Sequence, residues 1–110
     1  MLDGIRFDSK KEAYRYAELR SLESAGQIRN LVVKPRYEFT LPDGTPLSYP
    51  ATPKRKIGRK VTHTPDFKYV DLTEGKPKTV VEDVKGYDYD MGRLKRALML
   101  GFHGITIQLV

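Results

Sequence analysis

Ser9 to about Ala25 is built of strong helix formers with neither proline nor glycine, and Gly26 stands where a helix C-cap belongs, so the segment predicts a helix. Glu12, Tyr16 and Leu19 share one side of it, the side expected to dock on a sheet. Arg29 to Leu41 is rich in valine, tyrosine and phenylalanine but interrupted by Pro35, which predicts an extended edge strand or two short ones. Leu41-Pro42-Asp43-Gly44-Thr45 reads as a turn. Thr62 to Val70 and Lys78 to Lys85 read as strands joined by the turn-rich stretch from Asp71 to Pro77, a hairpin that would bring Asp66 near Asp83. Met91, Leu94, Ala97 and Leu98 recur at helical spacing between about Asp90 and Leu100, Gly101 is expected to close that helix, and Gly104 to Val110 reads as a last short strand. The predicted order is α-β-β-β-α-β, a mixed α+β chain forming one domain over residues 1–110.

Composition sets the bounds. The chain has 110 residues, 39% of them hydrophobic, enough for a modest core without covalent staples. With no cysteine it has neither a thiol nucleophile nor a zinc ribbon, and nothing points to an oxidising compartment. No apolar run approaches the ~18 residues of a membrane-spanning helix and the N-terminus lacks a signal-peptide profile, so a cytoplasmic protein is expected. Two histidines and no cysteine argue against transition-metal ligation. His63 would face away from Asp66 in a regular strand, which suits a structural or phosphate-contacting role, and His103 belongs to the link into the last strand.

The net charge of +6 is concentrated: Lys54, Arg55, Lys56, Arg59 and Lys60 account for five of the six charges and leave +1 elsewhere. This stretch, at about residues 50–61, reads either as a solvated loop or hairpin tip, or as a flexible segment on a phosphate backbone. The second reading implies affinity with a steep salt dependence and no sequence choice. Lys10, Lys11, Arg93, Lys95 and Arg96 would extend the footprint. Tyr87 and Tyr89 would stack on an unpaired base or pack against neighbours.

The candidate chemistry lies in Pro65-Asp66-Phe67 and Val80-Val81-Glu82-Asp83-Val84-Lys85-Gly86. Period-two alternation sends Asp83 and Lys85 to one side of a strand, and Val80, Glu82 and Val84 to the other, so Asp83 rather than Glu82 is the expected chemical group. One carboxylate from each of two neighbouring strands can seat a hard cation such as Mg²⁺ against a phosphate. An ammonium beside it can stabilise an attacking hydroxide. Separately, Asp66 reads as a strand-end carboxylate bonded to nearby amides, and Asp83 with Lys85 as a solvated polar face. Glu12 stays open between two roles: the fourth position of a Ser9-x-x-Glu12 capping box, or a further acidic group in the site.

Pro65-Asp66 followed by Asp83-Val84-Lys85 resembles the motif of the PD-(D/E)XK nuclease superfamily. The opening Asp3-Gly4-Ile5-Arg6-Phe7-Asp8-Ser9-Lys10-Lys11-Glu12-Ala13 and the closing Val81-Glu82-Asp83-Val84-Lys85-Gly86 are similar to a small phage-borne family within it. The resemblance implies a restriction-endonuclease-like fold with a central mixed sheet flanked by helices. It implies a metal-dependent DNA endonuclease in which Asp66, Asp83, Glu12 and the Val84 carbonyl hold Mg²⁺, with Mn²⁺ able to substitute, and Lys85 positions the water. The substrate stays open among branched junction DNA, nicked duplex, flap and plain duplex; branched-DNA resolvases of the superfamily cut as dimers, and a chain this small suits a homodimer, with no small-molecule cofactor and no membrane expected. Two other classes stay open: a binding module that keeps the fold without the chemistry, and an interaction subunit of a phage DNA-processing complex.

Overall fold

A computed structural model describes residues 2–85 and 89–110. The elements are α1 (Lys10–Ser24), β1 (Ile28–Val33), β2 (Tyr37–Glu38), β3 (Ser48–Tyr49), β4 (Arg59–Lys60), β5 (Thr62–His63), β6 (Phe67–Asp71), β7 (Lys78–Asp83), α2 (Asp90–His103) and β8 (Gln108–Leu109). The chain is thus mixed α+β, with two helices among the described residues. None of them is long and apolar enough to cross a membrane.

The chain divides into two compact units. The first takes the described residues within Met1–Pro35, Pro65–Tyr87 and Ile107–Val110. Its four-stranded mixed sheet runs in the order β1-β6-β7-β8, antiparallel except for the parallel pair β7 and β8. A parallel pair needs a long connection between its strands, and the chain supplies α2 there in sequence. Tyr16 and Leu19 of α1 pack with Ile28, Phe67, Tyr69 and Val80, and the rings of Phe7, Tyr16 and Phe67 lie 5.0 to 6.4 Å apart. The docking side read from the sequence is therefore the buried one. Ser9 caps α1 by accepting from the Glu12 amide, and Gly26, at φ 75°, takes the left-handed position beyond the C-cap. At the N-terminus, Asp3 and Gly4 turn the chain between Leu2 and Ile5, and Asp3 accepts from the buried Tyr16 hydroxyl at 2.8 Å.

The second unit takes Arg36–Thr64 and the described residues within Asp88–Thr106. It holds α2 and two small antiparallel ribbons, β2 with β5 and β3 with β4. Phe39, Val61 and Met99 are buried, the Phe39 and Phe102 rings meet edge to face at 5.5 Å, and the His103 ring nitrogen Nε2 lies 2.7 Å from the Glu38 carbonyl. The predicted turn is present, with Leu41 and Thr45 bonded across it and the Asp43 carboxylate accepting from the Thr45 amide.

Three boundaries differ from the sequence reading. Thr62 to Val70 is two strands, because Pro65 offers no amide and Asp66 bends the backbone between them. His63 and Asp66 therefore belong to different strands in different units, which removes the alternation argument about His63. The second helix runs through Gly101 to His103 and ends at Gly104, whose φ of 66° makes it the cap. Finally, the last strand is confined to Gln108–Leu109. Gly86 and Tyr87, singled out from the sequence, lie outside the described residues.

Candidate active site

The β6–β7 register opposes Phe67 to Glu82, and one step further along sit Asp66 and Asp83. Their carboxylates and backbones interlock: the Asp66 amide donates to Asp83 Oδ1 at 3.1 Å, and the Val84 amide donates to Asp66 Oδ2 at 2.7 Å. Each acid thus accepts from the backbone of the opposite strand, the amide-bonded role allowed for Asp66 in the sequence. That bonding also holds the two aspartates next to each other on adjacent strands, near enough for the Asp83 charge to act on Asp66. Asp83 is only 2% exposed.

Glu12 reaches the same place from α1 while serving as a cap. Its Oε2 accepts from the Asp8 amide at 3.0 Å, one residue before the N-cap amide that a standard capping box would use. Its carboxyl lies beside that of Asp66. Burial first, with the Glu12 carboxyl and the Asp83 charge adding to it and the Val84 amide opposing, pushes Asp66 up to about 7. The capping bond and the place beside Asp66 are therefore compatible in one residue.

Lys85 continues the strand past its formal end. The Val110 amide donates to the Asp83 carbonyl at 2.9 Å and the Lys85 amide donates back to the Val110 carbonyl at 3.3 Å, the bonding pattern of a parallel pair. Alternation along this extended backbone assigns Lys85 to the side of Asp83. Val84 is held by its amide, and it packs with Val80 against the α1 core.

Glu82 takes the face with Val80 and Val84, as alternation predicts, and is wholly buried. Arg15 grips it with two bonds, Nε to Oε1 at 2.6 Å and Nη2 to Oε2 at 3.0 Å, and the Tyr69 hydroxyl donates to Oε2 at 2.8 Å. The hydrogen bond to Glu82 raises Arg15 further, and burial together with Glu82 pushes the Tyr69 hydroxyl up to about 12. A carboxylate so fully engaged is unavailable to a metal. Arg15, Tyr69 and Lys11, whose ammonium donates to the Lys85 carbonyl at 2.8 Å, were not singled out as supports of the site. The available signal was Glu82 itself: an acid on a core face requires a cation, and Arg15 lies one turn from Glu12 on the docking helix.

The oxygen-only donors Asp66, Asp83 and Glu12 suit a hard cation, which would relieve the crowding that raises Asp66. Among the described residues, however, no group of three or more histidine, aspartate or glutamate side chains is arranged to hold a metal ion.

The basic stretch is more structured than a loop. Arg59 and Lys60 form β4, Arg59 lies over the Tyr49 ring at 4.8 Å, and Lys60 Nζ is 3.6 Å from Glu38 Oε2. Lys54, Arg55 and Lys56 are exposed, as is Lys10 at the start of α1. Lys95 is half-buried on α2, Arg93 is 3.4 Å from Asp90, and Tyr89 is exposed at the N-cap of α2.

A family model described as "Protein of unknown function (DUF1064)" matches residues 1–107. Neither the curated proteins nor the solved structures contain a match.

Proposed function

The chain belongs to the DUF1064 family, whose function is unknown, and from its geometry we propose that it is a metal-dependent endonuclease cutting DNA phosphodiester bonds on a restriction-endonuclease-like fold. The observation that carries this reading is the interlocked Asp66–Asp83 pair with Glu12 beside it, in which Asp66 is pushed up to about 7. Acids crowded and half-buried to that degree are characteristic of sites that bind a cation or move a proton. Asp66, Asp83 and Glu12 would hold Mg²⁺ or Mn²⁺, with the Val84 carbonyl as a further oxygen donor. When bound, the ion supplies charge neutralisation at the phosphate and a more acidic water.

The protein's own groups do the positioning. The amides of Asp66 and Val84 hold the two carboxylates in place, so little reorganisation is needed when substrate arrives. Lys85 orients the attacking water and offsets charge at phosphorus. Lys11, bonded to the Lys85 carbonyl, fixes the start of α1 and with it Glu12. Branched DNA is the substrate class and a homodimer the working form in this reading.

One observation favours a second reading, a DNA-binding module without chemistry: both carboxylates already bond to amides, and no three acidic side chains among the described residues are arranged for a metal. Labelled four-way junction, flap and linear duplex, incubated with wild type and Asp83→Ala in Mg²⁺, Mn²⁺ or EDTA, separate the two. The nuclease reading expects cutting by wild type with metal only, and binding without cutting by the variant. DNA binding by wild type with no cutting of any substrate in either metal would establish the module instead.

A further inference from the structure

Residues 48–60 form an arm with a built shape. β3 and β4 pair Ser48 with Lys60 and Tyr49 with Arg59. Further out, the Thr52 amide donates to the Arg55 carbonyl at 2.7 Å, and the Arg55 amide donates to the Thr52 carbonyl at 3.1 Å and to the Thr52 hydroxyl at 3.0 Å, closing a turn over Pro53 and Lys54. Gly58 allows the returning strand to pass against the Tyr49 carbonyl, where a Cβ would collide. Arg59 covers the Tyr49 ring at the base.

The tip is chemically one-sided. Every residue from 51 to 60 is exposed, and no acid occurs between Asp43 and Asp66. Amid the cations stands Ile57, 81% exposed, the barest large hydrophobic side chain among the described residues. A single exposed apolar residue is ordinary on a protein surface. Its setting is what matters: a two-stranded ribbon fits a groove of duplex DNA, and architectural proteins that do so wedge an apolar side chain between base steps and kink the helix.

We infer that the Ser48–Lys60 arm is a duplex-DNA groove-binding element: Lys54, Arg55, Lys56 and Arg59 contact phosphates, and Ile57 enters the base stack and bends the duplex. Lys60 contributes less because Glu38 already faces it. An acidic polypeptide would also satisfy the cations, but one isoleucine on a narrow ribbon offers none of the contiguous apolar area that forms the centre of a protein interface. The inference deepens the proposed function and rests on its nucleic-acid half, not on cleavage. The arm would present duplex in the bent form that branched substrates already have.

The test uses the full chain in EDTA, so that nothing is cut, with a ~20 bp duplex carrying a fluorescent donor and acceptor at its ends. Wild type should bring the ends together on binding. Ile57→Ala should abolish that change and weaken binding roughly threefold to tenfold, while leaving the salt dependence of binding intact. Lys54→Gln, Arg55→Gln and Lys56→Gln combined should instead reduce the salt slope by about 2.7, at roughly 0.9 per phosphate contact. Ile57 is so exposed that its truncation leaves folding untouched, which a matching thermal melt verifies. End-to-end distances unchanged by wild type, equal bending by Ile57→Ala, or preference for poly-glutamate or single strands over duplex would each overturn the inference. Assaying wild type on the same duplex in Mg²⁺ and Mn²⁺ keeps the two ideas apart: an arm that bends DNA in a protein that never cuts it retains this inference and loses the nuclease.

Discussion

On one face of β7, Glu82 meets an arginine and a tyrosine hydroxyl; one residue along, Asp83 meets the backbone of Asp66, whose own carboxyl lies beside Glu12. Both acids are buried. The first is neutralised in place and ties α1 to the sheet. In the second neighbourhood charge on Asp66 is disfavoured, first by burial and then by the Glu12 and Asp83 carboxyls near it. The contrast separates two surroundings of a buried carboxylate: Glu82 is matched by the Arg15 guanidinium, whereas Asp83 accepts from a backbone amide beside another acid.

The largest effect should come from breaking the matched side. Arg15→Met leaves Glu82 buried without its cation and should cost about 3–5 kcal/mol in chemical denaturation, whereas Asp83→Asn, in the crowded region, should cost far less in metal-free buffer. Equal losses at both positions would erase the contrast.

Next comes pH. Asp66 stands at about 7 in the folded protein against 3.8 for the ordinary side chain, so folding favours its protonated form. Its contribution to stability is complete below the unfolded value and is lost as pH rises through about 7. Metal-free wild type should therefore lose urea resistance between pH 5 and 8 by more than Asp66→Asn does. Added Mg²⁺ should reverse the trend, since a ligand carboxylate must be deprotonated and metal affinity then climbs with pH. Parallel pH profiles for the two proteins would place the source of the perturbation elsewhere.

A smaller effect separates the two duties of Glu12. Glu12→Gln can still accept from the Asp8 amide, so its stability should change by well under the ~1 kcal/mol typical of a lost cap, which Ser9→Ala should show. Cleavage, if the carboxylate charge is needed, should fall sharply in Glu12→Gln alone. The smallest effect is local: Gly58→Ala should distort the arm and weaken DNA binding while the melting temperature stays within a degree or two.

Much of this was legible in the chain. Ser9 and Gly26 bounded the first helix because capping chemistry is local, and the β6–β7 hairpin was readable because two β-rich runs flank a turn-rich link. The core-facing side of Glu82, shared with Val80 and Val84, followed from alternation alone. Less local features were missed. Thr62 to Val70 has uniform strand character, and its division depends on Pro65 together with an Asp66 carboxylate captured by Val84, a residue 18 positions away. The spacing predicted α2 but not its inward side: Met91 and Leu94 are 50% and 54% exposed while Met99 is fully buried. The β3–β4 ribbon was foreseen only as a loop or hairpin tip without strands of its own, because its strands are two residues each and depend on the approach of Gly58 to Tyr49.

The interlock of Asp66 with Asp83 also bears on how the chain must fold. A slip of one residue between β6 and β7 would put Phe67 and Glu82 on opposite faces of the sheet, turning one of them out of the core, and carry the two aspartates apart in the same movement. Misaligned hairpins would thus forfeit core packing whenever they forfeit the pairing of the two aspartates, so every correctly packed molecule should carry that pairing.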